Sequence, residues 1–298
     1  MEITIEKLIE IIPNWRNKKI IISPIKSGLT NLNYKIDVDN QSYFLSQPDT
    51  DSQFLSINFY NKYINNDNCA KSKISPSIYH FNETHKVIIT DFVLSQSISK
   101  LTFHHEPYFS LLIEMVKKMH HVKPFFQEFN MFTLIKKYMV IISQQNLILP
   151  QIAFDKFEKI NFIGNKLEKF RNELVPCHND ILPENILSKN NKLLLIDFDY
   201  SGNNDACFDL GNLSVEMEFS EIQVNKLVLH YFGEINNQLV SRVNLHGIMS
   251  DYGWTLWSYV QNSISNIDFN FSHYGKSRLD RVVKKLDSPS FNIWMKNL

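Results

Sequence analysis

In the first third of the chain, apolar and polar residues alternate with a period of two, the pattern of half-buried β-strands. The period predicts strands over residues 19–22, 33–38 and 42–45, with Asp39-Asn40-Gln41 as the turn between the last two. Ahead of them, residues 1–12 place Ile and Leu at helical spacing until Pro13 stops the helix. The apolar run 87–89 adds another strand. These segments predict a small antiparallel sheet preceded by a short helix.

The rest of the chain mainly shows the 3.6-residue period of amphipathic helices. Pro107 opens one helix, whose apolar residues recur at 111, 112, 115, 116 and 119, and which ends near His120-His121. Two adjacent histidines point to different faces, so we expect no zinc site there. Further helices are predicted over 132–144, 154–174 and 244–265. A sheet followed by helices predicts an α+β fold.

One β-hairpin interrupts the helical part of the chain. Two short apolar runs, 185–187 and 192–196, flank the polar turn Ser188-Lys189-Asn190-Asn191. Pairing about this turn places Asn185 roughly opposite residues 195–197. Asp180 lies in the loop just before the hairpin, so a free carboxylate stands beside two oxygen ligands. This arrangement predicts a Mg²⁺ site.

The order of polar residues around this hairpin is that of phosphoryl-transfer enzymes. His178-x-Asp180-x-x-x-x-Asn185 is followed by a strand that ends in Asp197. In the kinase template the first Asp orients or deprotonates the acceptor hydroxyl, while the Asn and the strand-terminal Asp hold Mg²⁺. We therefore assign His178, Asp180 and Asn185 to a catalytic loop and Asn185 and Asp197 to the metal. The alternative is a polar loop with a solvated hairpin end. Asp199 is either a further metal ligand or structural.

Composition excludes several other classes of protein. The 298 residues are 44% hydrophobic and 21% charged, which indicates a globular chain of one large or two small domains. Lys plus Arg equals Asp plus Glu at 31 each, so no net charge favours nucleic acid or an anionic membrane. Three cysteines without a C-x-x-C pair indicate a reduced, cytoplasmic protein. We see neither a signal peptide nor a membrane span.

Three segments resemble one known family: CHNDILPENIL, LLLIDFDYSG and CFDLGNLSVE. They look like the choline/ethanolamine kinase branch of the aminoglycoside-phosphotransferase-like kinases, and are closest to bacterial choline kinases of the lipopolysaccharide-decorating type. The resemblance extends from about residue 28 to about 281. It implies a two-lobed protein-kinase-like fold, with a sheet N-lobe over 1–92 and a larger helical C-lobe over 93–298. It also implies ATP as donor, Mg²⁺ as cofactor and a small amino alcohol as acceptor.

The resemblance also implies roles for residues that the hairpin does not explain. In the G-x-T-N segment, Gly28, Thr30 and Asn31 would cover the nucleotide phosphates, although an ordinary hairpin loop fits equally well. Asp91 and Phe92 would form the lobe hinge beside the adenine, or a plain strand end. Asp209 would hold the catalytic loop in shape, or act as a helix N-cap.

An aromatic stripe is the candidate for the acceptor pocket. Trp254, Trp257 and Gln261 share a helical face, which fits either a buried core or a cage for a quaternary ammonium ion. The family resemblance adds Tyr200 and Glu216 to the candidate pocket. Phe269, Phe271, Tyr274 and Arg278 continue the family-like pattern.

The N-terminal lobe departs from the family in one respect. The family carries an Arg or Lys on its third strand and a Glu on the next helix, whereas here Ser46 or Gln47 stands in the strand position. The following helix, predicted over 52–64, contains no acid. Lys35 or Lys62 is a candidate substitute. Loss of the fixed cation predicts weaker and misoriented ATP binding.

Several functions remain open at this point. The leading hypothesis is a kinase for choline or ethanolamine. Within enzymes, the rival acceptors are thiamine, an aminoglycoside or a sugar. The missing cation also allows a nucleotide-binding pseudokinase, although every catalytic-loop residue is present.

Overall fold

A computed structural model describes residues 5–10, 12, 14–26, 28–48, 52–95 and 98–298. Within these residues, five strands form an antiparallel sheet in the order β1-β2-β3-β5-β4. Their bounds are β1 Ile20–Ile25, β2 Asn31–Val38, β3 Gln41–Pro48, β4 Ile78–Asn82 and β5 Val87–Asp91. The predicted antiparallel sheet is confirmed, and its strands are longer than the sequence period indicated.

One face of the sheet is covered by the chain's N-terminal segment. Helix α1 (Ile5–Glu10) and Trp15 pack on alternate residues of the strands, among them Ile36 and Leu45. The predicted first helix is observed over these six residues, and residues 1–4, 11 and 13 lie outside the described part. Because side chains alternate along a strand, the residues of opposite parity face the cleft. Phe44 and Ser46 are among them.

The helix after the sheet differs from the prediction over 52–64. Residues Ser52–Leu55 form a single 3₁₀ turn, and helix α2 (Phe59–Lys71) begins only after Asn58, whose side chain accepts a hydrogen bond from the backbone N–H of Asn61. The helix also runs further and includes Asp67. That carboxylate pairs with Lys71 one turn away, on an exposed face. The helix therefore presents no acid toward the cleft.

The second lobe is built mainly of helices. They are α3 Tyr108–His120, α4 Met131–Gln144, α5 Gln151–Leu167, α6 Ala206–Glu216, α7 Glu221–Phe232, α8 Asn237–Ile264, α9 Phe271–Leu286 and α10 Pro289–Lys296. The long helix α8 is buried along most of its length and contacts α4, α6 and α9. Two apolar clusters form the core around it. None of the described helices is long and apolar enough to cross a membrane.

Two short strand pairs carry the catalytic segment. Strand β6 (Val175–Cys177) pairs with β9 (Gly202–Asn204), and β7 (Ile186–Lys189) pairs with β8 (Lys192–Leu195). The β7–β8 turn consists of Asn190 and Asn191, both with positive φ (52° and 56°), as a two-residue hairpin turn requires. The predicted hairpin is confirmed.

Helix α6 approaches α8 closely at Gly211. A Cβ on this residue would lie 2.5 Å from the backbone oxygen of Val243 and 2.6 Å from the backbone nitrogen of Gly247. Only glycine, which has no Cβ, allows α6 to cross α8 at this distance. The close crossing holds α6 against α8 and beside the catalytic segment.

The sheet lobe and the helical lobe confirm the predicted two-lobed α+β fold. We propose that the boundary lies near Phe92, since β5 ends at Asp91 and α3 begins at Tyr108. Helix α2 contributes Cys69 to a core cluster of the helical lobe, so it packs against both lobes.

Candidate active site

The loop after β6 is held in place by one buried carboxylate. Asp209 accepts hydrogen bonds from the backbone N–H groups of His178 (2.8 Å) and Asn179 (2.7 Å). Helix α6 begins at Ala206, with Asp205 as its N-cap. The N-cap alternative for Asp209 is therefore wrong, because this residue lies in the first turn, where its carboxylate also benefits from the helix dipole.

The Asp209 carboxylate also contacts a buried histidine, His120, on α3. His120 Nε2 lies 3.0 Å from Asp209 Oδ2, and His120 Nδ1 lies 2.6 Å from the Tyr231 hydroxyl. With Cys177, these two residues form a group of potential metal ligands among the described residues. However, both carboxylate oxygens of Asp209 and the Nε2 of His120 already make hydrogen bonds. We interpret the group as a brace for the loop rather than a metal centre.

His178 links the loop to the strand that precedes Asp197. Its ring is fully buried and donates from Nε2 to the backbone oxygen of Ile196 at 2.9 Å. Burial lowers the pKa of His178, so the imidazole is neutral. Because the ring faces the backbone, we propose that His178 positions the catalytic loop and does not contact substrate.

Asn185 joins the two acidic segments. Its side-chain amide donates to the backbone oxygen of Asp180 at 3.0 Å, and its own backbone oxygen accepts from Ile196 N–H at 3.0 Å. The first bond uses the NH₂ group and leaves the side-chain carbonyl oxygen to bind a cation. Asp197 follows Ile196 directly and has a positive φ of 66°. The structure thus brings Asp180, Asn185 and Asp197 together, in the register that the sequence predicted.

Asp180 and Asp197 have no direct ion-pair partner among the described residues. Burial, followed by the charges of Asp197 and Glu216, raises the pKa of Asp180 well above its usual value. Burial and then Asp199 raise the pKa of Asp197, whose Oδ1 is buried without a hydrogen-bond partner. Hard oxygen ligands with an orphaned carboxylate oxygen fit a divalent cation. Asn185, Asp197 and Asp199 could hold one.

Residues that precede the helical lobe compensate the negative charge of Asp199. Its Oδ2 accepts from the Thr30 hydroxyl (2.9 Å) and from the Asn31 side-chain amide (3.1 Å), and its Oδ1 forms an ion pair with Lys62. Burial works against ionisation, but these three donors lower the pKa of Asp199. Gly28 precedes them with a φ of 95°, a conformation suited to glycine. The loop therefore lies directly on an acidic residue of the candidate metal site.

The hinge residues are already engaged through their backbone donors. Asp91 N–H donates to Ser77 O at 2.9 Å, and Phe92 N–H donates to Ser42 O at 3.1 Å. A backbone hydrogen bond between adenine and Asp91 or Phe92 would therefore have to use a carbonyl oxygen.

The aromatic candidates form a continuous row. The ring centroids are 4.7 Å apart for Tyr200 and Trp254, 6.3 Å for Trp254 and Trp257, and 6.0 Å for Trp257 and Tyr274, all edge to face. Both indole N–H groups are buried without a hydrogen-bond partner. Such orphaned donors cost roughly 1–3 kcal/mol each in an ordinary core. Their presence favours a ligand-binding wall over simple core packing.

Glu216 does not face this row as a free carboxylate. Arg278 donates to both carboxylate oxygens of Glu216 through its two terminal guanidinium nitrogens, and Nη2 lies 3.1 Å from Oε2. The same Nη2 also donates to the Tyr274 hydroxyl. Asp251, buried on α8, is held by Arg281, with Nε 3.1 Å from each carboxylate oxygen. Sequence reasoning missed Asp251 and its partner. A carboxylate in an otherwise apolar helix was the available signal, because a buried charge requires a partner.

A second missed contact joins the two candidate pockets. Gln261 Nε2, on the same face of α8 as the tryptophans, donates to the backbone oxygen of Leu29 at 3.0 Å. The Leu29 side chain packs against the core cluster that contains Trp254 and Trp257. The loop that reaches Asp199 through Thr30 therefore also seats on the aromatic wall.

Comparisons with known proteins place the sequence and the fold of this chain beside known kinases. The sequence profile named choline/ethanolamine kinase matches residues 22–231. Protein LicA of Haemophilus influenzae is 23% identical over 270 residues, which cover 87% of this chain and 99% of that protein. The structure of a choline/ethanolamine kinase family protein from Mesorhizobium loti matches with a TM-score of 0.82 and 28% identity, over 97% of this chain and 96% of that one. A structure of LicA in complex with AMP matches with a TM-score of 0.75 and 23% identity, over 94% and 96% of the two chains.

The fold and the site define a phosphotransferase with a protein-kinase-like architecture. The chain belongs to the choline/ethanolamine kinase family, and the resemblance seen in the sequence is confirmed. It is therefore a kinase that acts on a small amino alcohol.

The raised pKa of Asp180 predicts an unusual effect on stability. A carboxyl with a folded-state pKa above its unfolded value destabilises the fold as pH rises above the unfolded pKa. Asp180→Asn should therefore increase the free energy of unfolding at pH 8, by about 1.4 kcal/mol for each unit of pKa difference, and by less at pH 5. Denaturant unfolding without added metal measures this.

Asp205→Asn is the matched control. The bonds and charges of His246 and Arg242 outweigh burial and lower the pKa of Asp205, so its removal should destabilise the fold at pH 8. A loss of stability in Asp180→Asn as large as that in Asp205→Asn would contradict the prediction.

Proposed function

We propose that the enzyme transfers the γ-phosphoryl group of ATP to the hydroxyl of choline or ethanolamine with the aid of Mg²⁺. The observation that carries the proposal is the position of Asp180. Asp180 is buried, and it lies close enough to Asp197, Glu216 and Arg278 for their charges to shift its pKa. A carboxylate between a cation site and an aromatic wall suits an acceptor hydroxyl placed against a phosphate.

In the proposed reaction, Asp180 accepts the proton of the acceptor hydroxyl as that oxygen forms its bond to the γ-phosphorus. The bond between the γ-phosphorus and the β–γ bridging oxygen breaks, and ADP leaves with that oxygen. A raised pKa makes Asp180 a better proton acceptor at neutral pH than an ordinary carboxylate. Asn185 keeps Asp180 in place through the bond to its backbone oxygen.

ATP as donor is supported by the loop at Gly28 and by the relative that is complexed with AMP. Thr30 and Asn31 carry short polar groups at the acidic end of the cleft, where phosphates would lie. Mg²⁺, when bound, would neutralise charge on the β- and γ-phosphates. Asn185, Asp197 and Asp199 would hold it.

The acceptor is proposed from the aromatic row. Tyr200, Trp254 and Trp257 present ring faces and edges, and aromatic faces bind quaternary ammonium groups. Arg278 already compensates Glu216, so the rings would supply most of the recognition of a cationic head group. A cytoplasmic location completes the proposal, in keeping with three free and buried cysteines.

The proposal predicts acceptor-dependent ADP release in the presence of ATP and Mg²⁺. Choline or ethanolamine should support turnover, whereas thiamine and kanamycin should not. Asp180→Asn should lower kcat by about 10²-fold or more, because the proton acceptor is lost. A coupled ADP assay measures both.

Asp280→Asn, an exposed aspartate on α9, is the control and should retain activity. Unchanged turnover in Asp180→Asn would refute the assignment of the base. Turnover with kanamycin or thiamine alone would refute the proposed acceptor while leaving the phosphotransferase intact.

The aromatic row predicts discrimination between acceptors. Trp257→Leu should raise KM for choline about tenfold, since a desolvated cation–π contact contributes up to about 2 kcal/mol. The effect on ethanolamine should be smaller, because a primary ammonium also recognises hydrogen-bond acceptors. Steady-state kinetics with each acceptor measure the difference.

Trp294→Leu is the matched control, because Trp294 belongs to the same core cluster but lies on α10, and Asn297 at the end of that helix donates to the Ser241 hydroxyl near the start of α8. Equal changes of KM for both acceptors in Trp257→Leu would argue against the aromatic cage.

The contact between Gln261 and Leu29 predicts coupling of the two substrates. Gln261→Leu removes a hydrogen bond of about 0.5–1.5 kcal/mol and leaves the Leu29 oxygen unsatisfied. KM should rise roughly 3- to 10-fold for both ATP and the acceptor, because the loop contacts both pockets. Asn262→Leu, at the next and exposed position of α8, should change neither value. A rise in only one of the two KM values would show that the pockets are independent.

A further inference from the structure

Lys62 is a buried lysine that points into the cleft from α2. Its side chain is 6% exposed and forms an ion pair with Asp199. The ammonium therefore lies directly against Asp199, one of the acids of the candidate metal site.

Strand β3 offers no such charge to the cleft. Tyr43 and Leu45 belong to the core cluster on the outer face, so Ser46 faces the cleft and Gln47 does not. Gln47 instead donates to the backbone oxygen of His85 at 3.4 Å. The position at which the sequence led us to expect a cation is occupied by a neutral hydroxyl.

Lys35, the other candidate substitute, lies elsewhere in the cleft. Its ammonium is 2.8 Å from Asp37 and 5.4 Å from the ring centroid of Phe92. Its side chain is about a third exposed, at 34%. Lys35 therefore sits at the hinge end, with its charge already compensated, whereas Lys62 sits at the end where Thr30 and Asn31 meet Asp199.

The backbone that carries Lys62 is fixed against the catalytic segment. Asn65, one turn further along α2, donates to the backbone oxygen of Ser201 (3.1 Å) and to its hydroxyl (3.0 Å). Asn61 bonds Gln127 of the helical lobe. These bonds hold the part of α2 that carries Lys62 beside the segment that contains Asp199.

We propose that Lys62 supplies, from helix α2, the positive charge that binds the α- and β-phosphates of the nucleotide. The inference rests on the proposed function, because it takes ATP as the donor. Lys62 shares a small cavity with Thr30, Asn31 and Asp199, whose remaining walls are Pro48, Leu55, Ile57 and Phe59. The loop over residues 28–31, which we call the phosphate loop, therefore meets the Lys62 ammonium and the candidate metal ligand Asp199 in this cavity.

Stability alone gives little reason for this ion pair. A buried pair contributes no more than well-packed apolar residues of similar volume, because both charges lose their hydration. Lysine carries its charge on a flexible four-carbon stem. The ammonium of Lys62 can therefore move from Asp199 to a phosphate oxygen without any movement of α2, and Asp199 is then free for a metal ion.

The test is nucleotide binding in EDTA, measured by titration calorimetry with ADP and with adenosine. Without a metal, the preference for ADP over adenosine reports the protein's own phosphate contacts. Lys62→Met should lower ADP affinity roughly tenfold or more, because hydrogen bonds to charged groups are stronger than those between neutral groups. The affinity for adenosine, which has no phosphate, should stay unchanged. Lys35→Met is the matched control and should keep the ratio of the two affinities.

A second pair of variants separates this role from a structural one. Asp199→Asn removes the partner of Lys62 and should keep or increase the preference for ADP. Lys62→Met combined with Asp199→Asn removes both members of the ion pair, so it should unfold at a temperature no lower than that of Asp199→Asn, which leaves the buried Lys62 ammonium without its partner. The double variant should nevertheless lose the preference for ADP.

The outcomes are distinguishable. An equal ADP-to-adenosine ratio in Asp199→Asn and in the double variant would overturn the role of Lys62 and leave the proposed function standing. No preference for ADP or ATP over adenosine in the unaltered protein, with or without Mg²⁺, would overturn the nucleotide donor and the role of Lys62 together.

Discussion

The cleft of this kinase concentrates buried negative charge, and the structure is organised around compensating it. Its carboxylates are Asp180, Asp197, Asp199 and Glu216. Burial disfavours ionised carboxylates, and like charges nearby add to the effect. Each acid is therefore treated differently: Asp199 has Lys62 and the phosphate loop, Glu216 has Arg278, and Asp180 and Asp197 keep raised pKa values. Asp180 and Asp197 are the residues that we propose as the base and as a metal ligand.

A framework of hydrogen bonds fixes the segments that carry these charges. Asp209 holds the catalytic loop through two backbone N–H groups, His178 ties it to the strand before Asp197, and Asn185 connects both segments. These bonds are buried, and removing one partner would leave a donor or acceptor unsatisfied. The loop geometry is thus set before any substrate binds, which is how a site keeps unfavourable charges in a reactive arrangement.

The two substrate pockets are not independent in this architecture. A four-residue loop, 28–31, meets Asp199 through Thr30 and the acceptor wall through Leu29, whose backbone oxygen is bound by Gln261. Helix α2 likewise belongs to both lobes, with Lys62 at the cleft and Cys69 in a core cluster of the helical lobe. The helix that carries Lys62 therefore reaches Asp199, a candidate metal ligand.

The sequence by itself determined the antiparallel sheet, the hairpin and the spacing of Asp180, Asn185 and Asp197, because these depend on local periodicity and on turn residues such as Asn190-Asn191. It placed the start of α2 too early, because the cap at Asn58 competes with an equally polar stretch before it. Only the tertiary structure decided which lysine meets Asp199, that Arg278 neutralises Glu216, and that Gln261 holds Leu29. The last two pairs are 62 and 232 residues apart in the chain. Such contacts depend on how distant helices and loops pack together, which leaves no periodic signal in the sequence.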